Sequence, residues 1–128
     1  MIVLDADVII AYLDGKNAHN QRAEELLARE IDDDFRANSL TMAEVLVVPA
    51  RENQLDAVRA ILHDLEIHEL PFGDDAAVRV AQLRVDTGLR MPDCCVLLAA
   101  ETTGSRLASF DERLITAAMT RQIDAIEQ

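Results

Sequence analysis

Lysine is nearly absent from this 128-residue chain: Lys16 stands alone, and arginine supplies the other strong bases. Twelve bases face 24 acids, for a formal charge of −12. A protein that grips nucleic acid without regard to sequence normally wears a basic stripe, so this balance argues against one. It leaves room for an acidic metal site, where bound divalent ions offset part of the charge and arginines remain to hold phosphates. Tryptophan is missing and aromatics make up 3% of the residues, too few for extensive base stacking. Cysteine occurs only as the adjacent pair Cys94 and Cys95, which forms neither a C-x-x-C motif nor a disulfide framework. Buried free thiols in a reducing cytosol are expected.

Long apolar runs are also lacking. The longest, Cys94 to Ala100, spans 7 residues, where a membrane span needs about 18. No basic segment leads into an apolar one at the start, so a cytoplasmic protein without membrane contact is expected. Glycine and proline are scarce and fall between periodic segments, with no repeat, linker or low-complexity tract. Half the residues are apolar, enough for one core, and a single domain over residues 1–128 follows.

What is present is an alternation of short strands and helices. "IVLD" is a continuous β-branched and leucine run, expected as a strand buried on both faces, and the helix "ADVIIAYL" follows it. An amphipathic helix from His19 to Ile31 carries Ala23, Leu26, Leu27 and Ile31 on one face. "FRANS" suggests a second strand. Next come "LTMAEVLVV", a helix stopped or kinked by Pro49, and "NQLDAVRAILHDL", with Leu55, Val58, Ile61, Leu62 and Leu65 along one face. "EIHELP" is a third strand. A helix capped by Asp74 and ended by Gly88 presents Val78, Ala81, Leu83 and Val85. Another helix opens with Pro92 at its first position and ends at Gly104. "RLASF" is a fourth strand, "DERLITAAM" a last helix, and "IDAI" a candidate edge strand. Such alternation implies right-handed crossovers and a three-layer α/β/α sandwich around a mainly parallel sheet of 4–5 strands.

In that architecture ligands bind beyond the carboxyl ends of the strands. Asp5 closes the first strand and Asp111 follows the fourth, so both are expected at one crevice. Each acid also has a structural explanation. Glu44 fits a capping box with Thr41, Asp93 suits a first helical turn, and Asp111 suits an N-cap. Asp7 is either a partner hydrogen-bonded beside the site or an acid tolerated in a first turn. Asp5 is harder to dismiss, because a carboxylate closing a wholly apolar strand needs its charge compensated. Taken together, such acids would raise one another's pKa unless a cation neutralised them. Oxygen ligands without convergent His or Cys select Mg²⁺ or Mn²⁺, which suit phosphoryl chemistry. His19, His63 and His68 share no ligand spacing and are expected on surfaces or helix flanks.

"IVLDADVIIAYL", the Glu of "TMAEVL", the Asp of "RMPDCCVLLAA" and the Asp of "LASFDERL", in this order, resemble the PIN domain. More narrowly, they resemble the VapC-type toxins of bacterial toxin-antitoxin modules, which are metal-dependent ribonucleases. The resemblance spans essentially the whole chain. It implies an acidic pocket of Asp5, Glu44, Asp93 and Asp111 holding one or two Mg²⁺ or Mn²⁺ ions, with Ser109 where the family often has a supporting Thr or Ser. Asp7 departs from the pattern, since the family more often has Asn, Ser or Thr there. The resemblance also implies an endoribonuclease leaving 5′-phosphate and 3′-hydroxyl ends, and a cognate VapB-type antitoxin whose tail covers the pocket. Arg90, Arg106 and Arg113 are candidates to hold RNA phosphates. The apolar faces of "AEELLAREI" and "NQLDAVRAILHDL" are candidates for a homodimer or antitoxin contact.

Two rivals remain at this level. Apolar strand plus "DADV" also resembles the start of haloacid-dehalogenase-type phosphatases, with Asp5 as nucleophile and Asp7 as general acid/base. That chemistry calls for a downstream lysine, and none follows Lys16. The other is a PIN-like binding module whose acidic pocket only accepts a basic partner.

Overall fold

The computed structural model describes residues 1–126. Strand β1 (Ile2–Leu4) is only three residues long, yet all three are completely buried, which requires cover on both faces of the sheet. Its neighbours are β2 (Phe35–Asn38) and β4 (Arg106–Ala108), and β3 (Ile67–Leu70) lies outside β2, giving the order β3-β2-β1-β4. Every pairing is parallel, with Ile2 opposite Phe35 and Arg106, and Phe35 opposite Ile67. The expected edge strand "IDAI" shrinks to a single parallel bridge between Leu107 and Ala125.

The connections are α1 (Ala6–Leu13), α2 (Asn20–Arg29), α3 (Ser39–Arg51), α4 (Leu55–Asp64), α5 (Ala76–Thr87), α6 (Met91–Thr103) and α7 (Glu112–Thr120). Because side chains alternate along a strand, Ile2 and Leu4 enter one core with Val8, Ile9, Leu26, Met42, Val45 and Leu62 of α1 to α4. Val3 and Leu107 enter the other with Leu83, Val96, Leu97 and Leu114 of α5 to α7. The result is the expected three-layer sandwich. Among the described residues no helix is long and apolar enough to cross a membrane.

Local chemistry moved several boundaries. Asn38, the last residue of β2, caps α3 by accepting from the Thr41 backbone N–H at 2.9 Å, so the Thr41–Glu44 capping box does not form. Glu44 lies instead on the second turn of α3. Pro49 does not stop that helix, which runs to Arg51 with the proline ring buried. Asp75, not Asp74, takes the cap position of α5 and makes no side-chain capping bond. Pro92 occupies the second position of α6, after Met91. Gly88 and Gly104 end α5 and α6 in the left-handed conformation at φ 72° and 63°, where a Cβ would be strained.

The apolar face read along α5 is the largest departure. Leu83 is buried, whereas Val78 and Val85 are 75% and 78% exposed. This helix packs chiefly on α6, so only a narrow stripe of it is covered. On α2, by contrast, Ala23, Leu26 and Leu27 belong to the core, while Ile31 lies past the helix end and is exposed.

Candidate active site

The site is built where β1 and β4 end side by side. The Asp5 backbone N–H donates to the Ala108 carbonyl at 2.9 Å, which sets Asp5 and Ser109 next to one another at the carboxyl edge of the sheet. Asp5 then caps α1, its Oδ1 accepting from the Ala6 N–H at 2.8 Å. Its other oxygen, Oδ2, accepts from Ser109 Oγ at 2.7 Å. The same serine oxygen accepts the Asp111 N–H at 2.9 Å, and Asp111 Oδ1 caps α7 through the Arg113 N–H at 2.9 Å. Ser109 is fully buried, so one hydroxyl ties the first strand to the start of the last helix.

Asp7, in the first turn of α1, is part of this construction. Its Oδ2 accepts the Phe110 N–H at 3.0 Å and lies 3.4 Å from Ser109 Oγ. Its Oδ1 is buried with no hydrogen-bond partner. Phe110 was not legible as a site residue; its contribution is a backbone N–H, which no side-chain pattern reveals.

Asp93 is 7% exposed in the first turn of α6, and Arg90 Nε approaches its Oδ2 at 3.8 Å. Glu44, exposed on α3, lies within electrostatic reach of Asp93. Electrostatic coupling runs through the group. Burial, then repulsion from Asp7, pushes the Asp5 carboxyl up to about 7 against the lowering effect of the Ser109 and Ala6 bonds, with Asp93 adding to the rise. Burial also raises Asp7, with Asp111 adding repulsion. Asp93 is raised by burial and by Asp111, with Arg90 and Arg113 opposing. Glu44 is raised by desolvation and by Asp93. Pairwise repulsion therefore links the four expected acids and Asp7 into one electrostatic group at the carboxyl edge of the sheet.

Arg106 does not join them. It begins β4, at the opposite end of the sheet, and its guanidinium holds Glu30 and Asp33, each at 2.9 Å. Residue spacing had placed it near the cleft, but three strand residues carry the chain across the sheet. Arg90 and Arg113 do lie at the rim, where both oppose the raised pKa of Asp93.

The donor chemistry fits a hard divalent cation. All the converging groups are carboxylates, a neighbouring acid adds to the raised pKa of each of Asp5, Asp7, Glu44 and Asp93, and Asp7 Oδ1 is a buried oxygen with nothing to satisfy it. Among the described residues no three His, Cys, Asp or Glu side chains form a ready ligand constellation. The acids frame a cleft rather than a closed cage.

Comparison with known proteins agrees with this geometry. The chain is similar in fold to a toxin-antitoxin complex from Klebsiella pneumoniae, with a TM-score of 0.76, 20% identity and coverage of 90% of both chains. FitAcB from Neisseria gonorrhoeae superposes with a TM-score of 0.74 at 22% identity, covering 99% of this chain and 97% of that one. VapBC2 from Rickettsia felis, bound to a promoter DNA fragment, gives a TM-score of 0.72 at 12% identity and 98% coverage of both chains. No curated protein matches the chain in sequence. The PIN domain family model matches residues 2–118. With that match over most of its length, and with its acids gathered at the carboxyl edge of a parallel sheet, the chain belongs to the PIN domain family.

Proposed function

We propose that this protein is a divalent-metal-dependent endoribonuclease and the toxin of a toxin-antitoxin pair. The observation that carries the reading is the compressed group of Asp5, Asp7, Glu44, Asp93 and Asp111. Arg90 and Arg113 offset its charge only in part, and it lies at the position where α/β folds bind ligands. Asp5, Glu44, Asp93 and Asp111 would hold one or two Mg²⁺ or Mn²⁺ ions. When bound, such an ion supplies positive charge to the scissile phosphate and polarises it.

The chain's own groups do the rest. Ser109 orients Asp5 and the start of α7, and Asp7 fixes the Phe110 N–H between them. Arg90 and Arg113 at the rim are placed to hold nonbridging phosphate oxygens. Water adds in line to phosphorus as the bond to the 3′ oxygen breaks, and that oxygen leaves with a proton. The products carry 5′-phosphate and 3′-hydroxyl ends. The haloacid-dehalogenase alternative loses its footing, because the family match lies elsewhere and no lysine follows Lys16.

The antitoxin part of the reading draws on a groove of about 700 Å³ between α1, α3 and α4. Ile10, Leu13, Val45, Val48 and Pro49 line it, and Glu44 stands at its side. An apolar antitoxin segment lying there would bring a following arginine to the carboxylates in place of the metal charge. A homodimer is proposed as well, through α4, where Leu55 and Ile61 remain exposed.

The test is cleavage of a mixed single-stranded and structured RNA pool with Mg²⁺ or Mn²⁺, against EDTA, for wild type, Asp5→Asn and Asp93→Asn. Cleavage by wild type alone, lost in EDTA, is expected. Wild type that leaves every RNA intact with both metals removes the reading.

A further inference from the structure

Phe110 follows Ser109 and precedes Asp111, and a second cluster forms around its ring. The Arg22 guanidinium lies 4.6 Å from the ring centroid, and the His19 ring stands 5.1 Å away, inclined by 35°. Arg22 Nη1 and His19 Nδ1 are 3.1 Å apart. Both residues are exposed on the α2 side of the cleft. Arg36, Arg79, Arg106 and Arg121 each hold a carboxylate, whereas Arg22 forms no ion pair among the described residues. Arg51, Arg59, Arg84 and Arg113 likewise form no ion pair among the described residues, so what sets Arg22 apart is its position over the Phe110 ring, one residue from Asp111.

From Arg22 and Phe110 a groove of about 770 Å³ runs along α7 past Glu112 and Thr116 to Asp124. Sites for small ligands span roughly 300–1,000 Å³, so this one has room for a nucleotide. We propose that Arg22, Phe110 and this groove form a nucleotide subsite next to the scissile position. Arg22 takes a backbone phosphate of the RNA strand, and the groove takes the adjoining base. The proposal rests on the ribonuclease reading and deepens it.

Three physical points support the assignment. Stacking on an aromatic ring fixes the orientation of the planar guanidinium, leaving the N–H groups that do not face His19 for a phosphate and its outer face for a base. Glu112 and Asp124 repel a phosphate but accept hydrogen bonds from base amino and imino groups, which sends the base into the groove and the phosphate to Arg22. Finally, the Phe110 N–H is bonded to Asp7, so the ring's backbone is fixed to the cleft itself. In a chain with so few aromatics, this one is spent at the cleft.

The test measures KM and kcat for Mn²⁺-dependent RNA cleavage by wild type, Arg22→Ala and Arg22→Lys. It adds salt titrations of binding to a labelled single-stranded RNA pool, with each change placed in Asp93→Asn protein. Arg22→Ala is expected to raise KM by about tenfold, more than it lowers kcat. It should also flatten the slope of log affinity against log salt by about 0.7, the loss of one single-strand phosphate contact. Arg22→Lys should recover the slope but not the full affinity, because an ammonium does not stack. Unchanged KM and slope in Arg22→Ala, with or without a lower Tm, overturns the subsite while wild-type cleavage leaves the nuclease reading standing. Wild type that neither binds nor cuts RNA overturns both.

Discussion

Ser109 Oγ donates to Asp5 Oδ2 at 2.7 Å across 104 residues of sequence. That single bond joins the exits of β1 and β4, and it is among the few effects that lower the pKa of Asp5. Ser109→Ala removes it and leaves the Asp111 N–H without its acceptor. The expected cost is about 1–3 kcal/mol in denaturant unfolding, the penalty of an unmet buried polar group. By NMR titration the Asp5 carboxyl should move further above about 7. Ser109→Thr keeps the hydroxyl and should restore both values, whereas an unmoved Asp5 in Ser109→Ala would show that the hydroxyl does not orient it.

Stability should fall with rising pH in the absence of metal. Asp5, Asp7, Glu44 and Asp93 all have folded-state values above the ordinary carboxylate range, so the folded protein holds protons that the unfolded chain has released. Between the unfolded value of roughly 4 and the Asp5 value of about 7, each step up in pH therefore favours unfolding. Asp33 acts in the opposite sense, held low by the Met1 ammonium and Arg106, but its contribution is lost only below the unfolded carboxylate value. Thermal unfolding in EDTA should show Tm declining from mildly acidic to neutral pH. Mg²⁺ should raise Tm most at the alkaline end, where the carboxylates are ionised, adding about 2.7 kcal/mol of stability at a hundredfold excess over its Kd. A Tm that is flat in EDTA and indifferent to Mg²⁺ would contradict the charge compression.

Asp7 is where the sequence was ambiguous and the geometry is specific. Asp7→Asn keeps an oxygen for the Phe110 N–H while removing one of the charges that raise Asp5. Metal-free protein should become more stable near neutral pH, and affinity for Mn²⁺ should fall. Asp7→Ala instead leaves the Phe110 N–H unsatisfied and should cost about 1–3 kcal/mol. Calorimetric metal titration with denaturant unfolding separates the two. Equal destabilisation by both variants would mean that the charge itself, not the hydrogen bond, is what the fold requires.

These cases show why parts of the site were legible and parts were not. Asp5 stood out because it interrupts an apolar run whose burial is forced, and Asp93 because it opens a helix behind a proline. The fold followed from the same alternation. Glu44 had a capping box with Thr41 as its structural alternative, but Asn38, three residues before Thr41, takes the cap once β2 ends there. Arg106 looked close to Asp111 in sequence, but a strand separates them in space, and its partners Glu30 and Asp33 lie more than seventy residues away. Val78 and Val85 kept helical spacing without burial because α5 packs chiefly on α6. The Arg22–Phe110 stack joins residues that no local pattern connects.

Asp111 carries two duties that substitutions can separate. Its side chain caps α7 through the Arg113 N–H, and its charge adds to the repulsion on Asp7 and Asp93. Asp111→Ala loses both and should cost about 1 kcal/mol of stability along with cleavage. Asp111→Ser and Asp111→Asn retain good capping side chains without the charge, so Tm should stay close to wild type while RNA cleavage falls at least a hundredfold, by the roughly 3 kcal/mol of lost electrostatic stabilisation typical of such sites. The neutral caps decide the matter, because a capping role predicts normal cleavage in both. Activity surviving in Asp111→Ser, with circular dichroism and Tm unchanged, would reduce Asp111 to a helix cap and shift the metal-holding role to Asp5, Glu44 and Asp93.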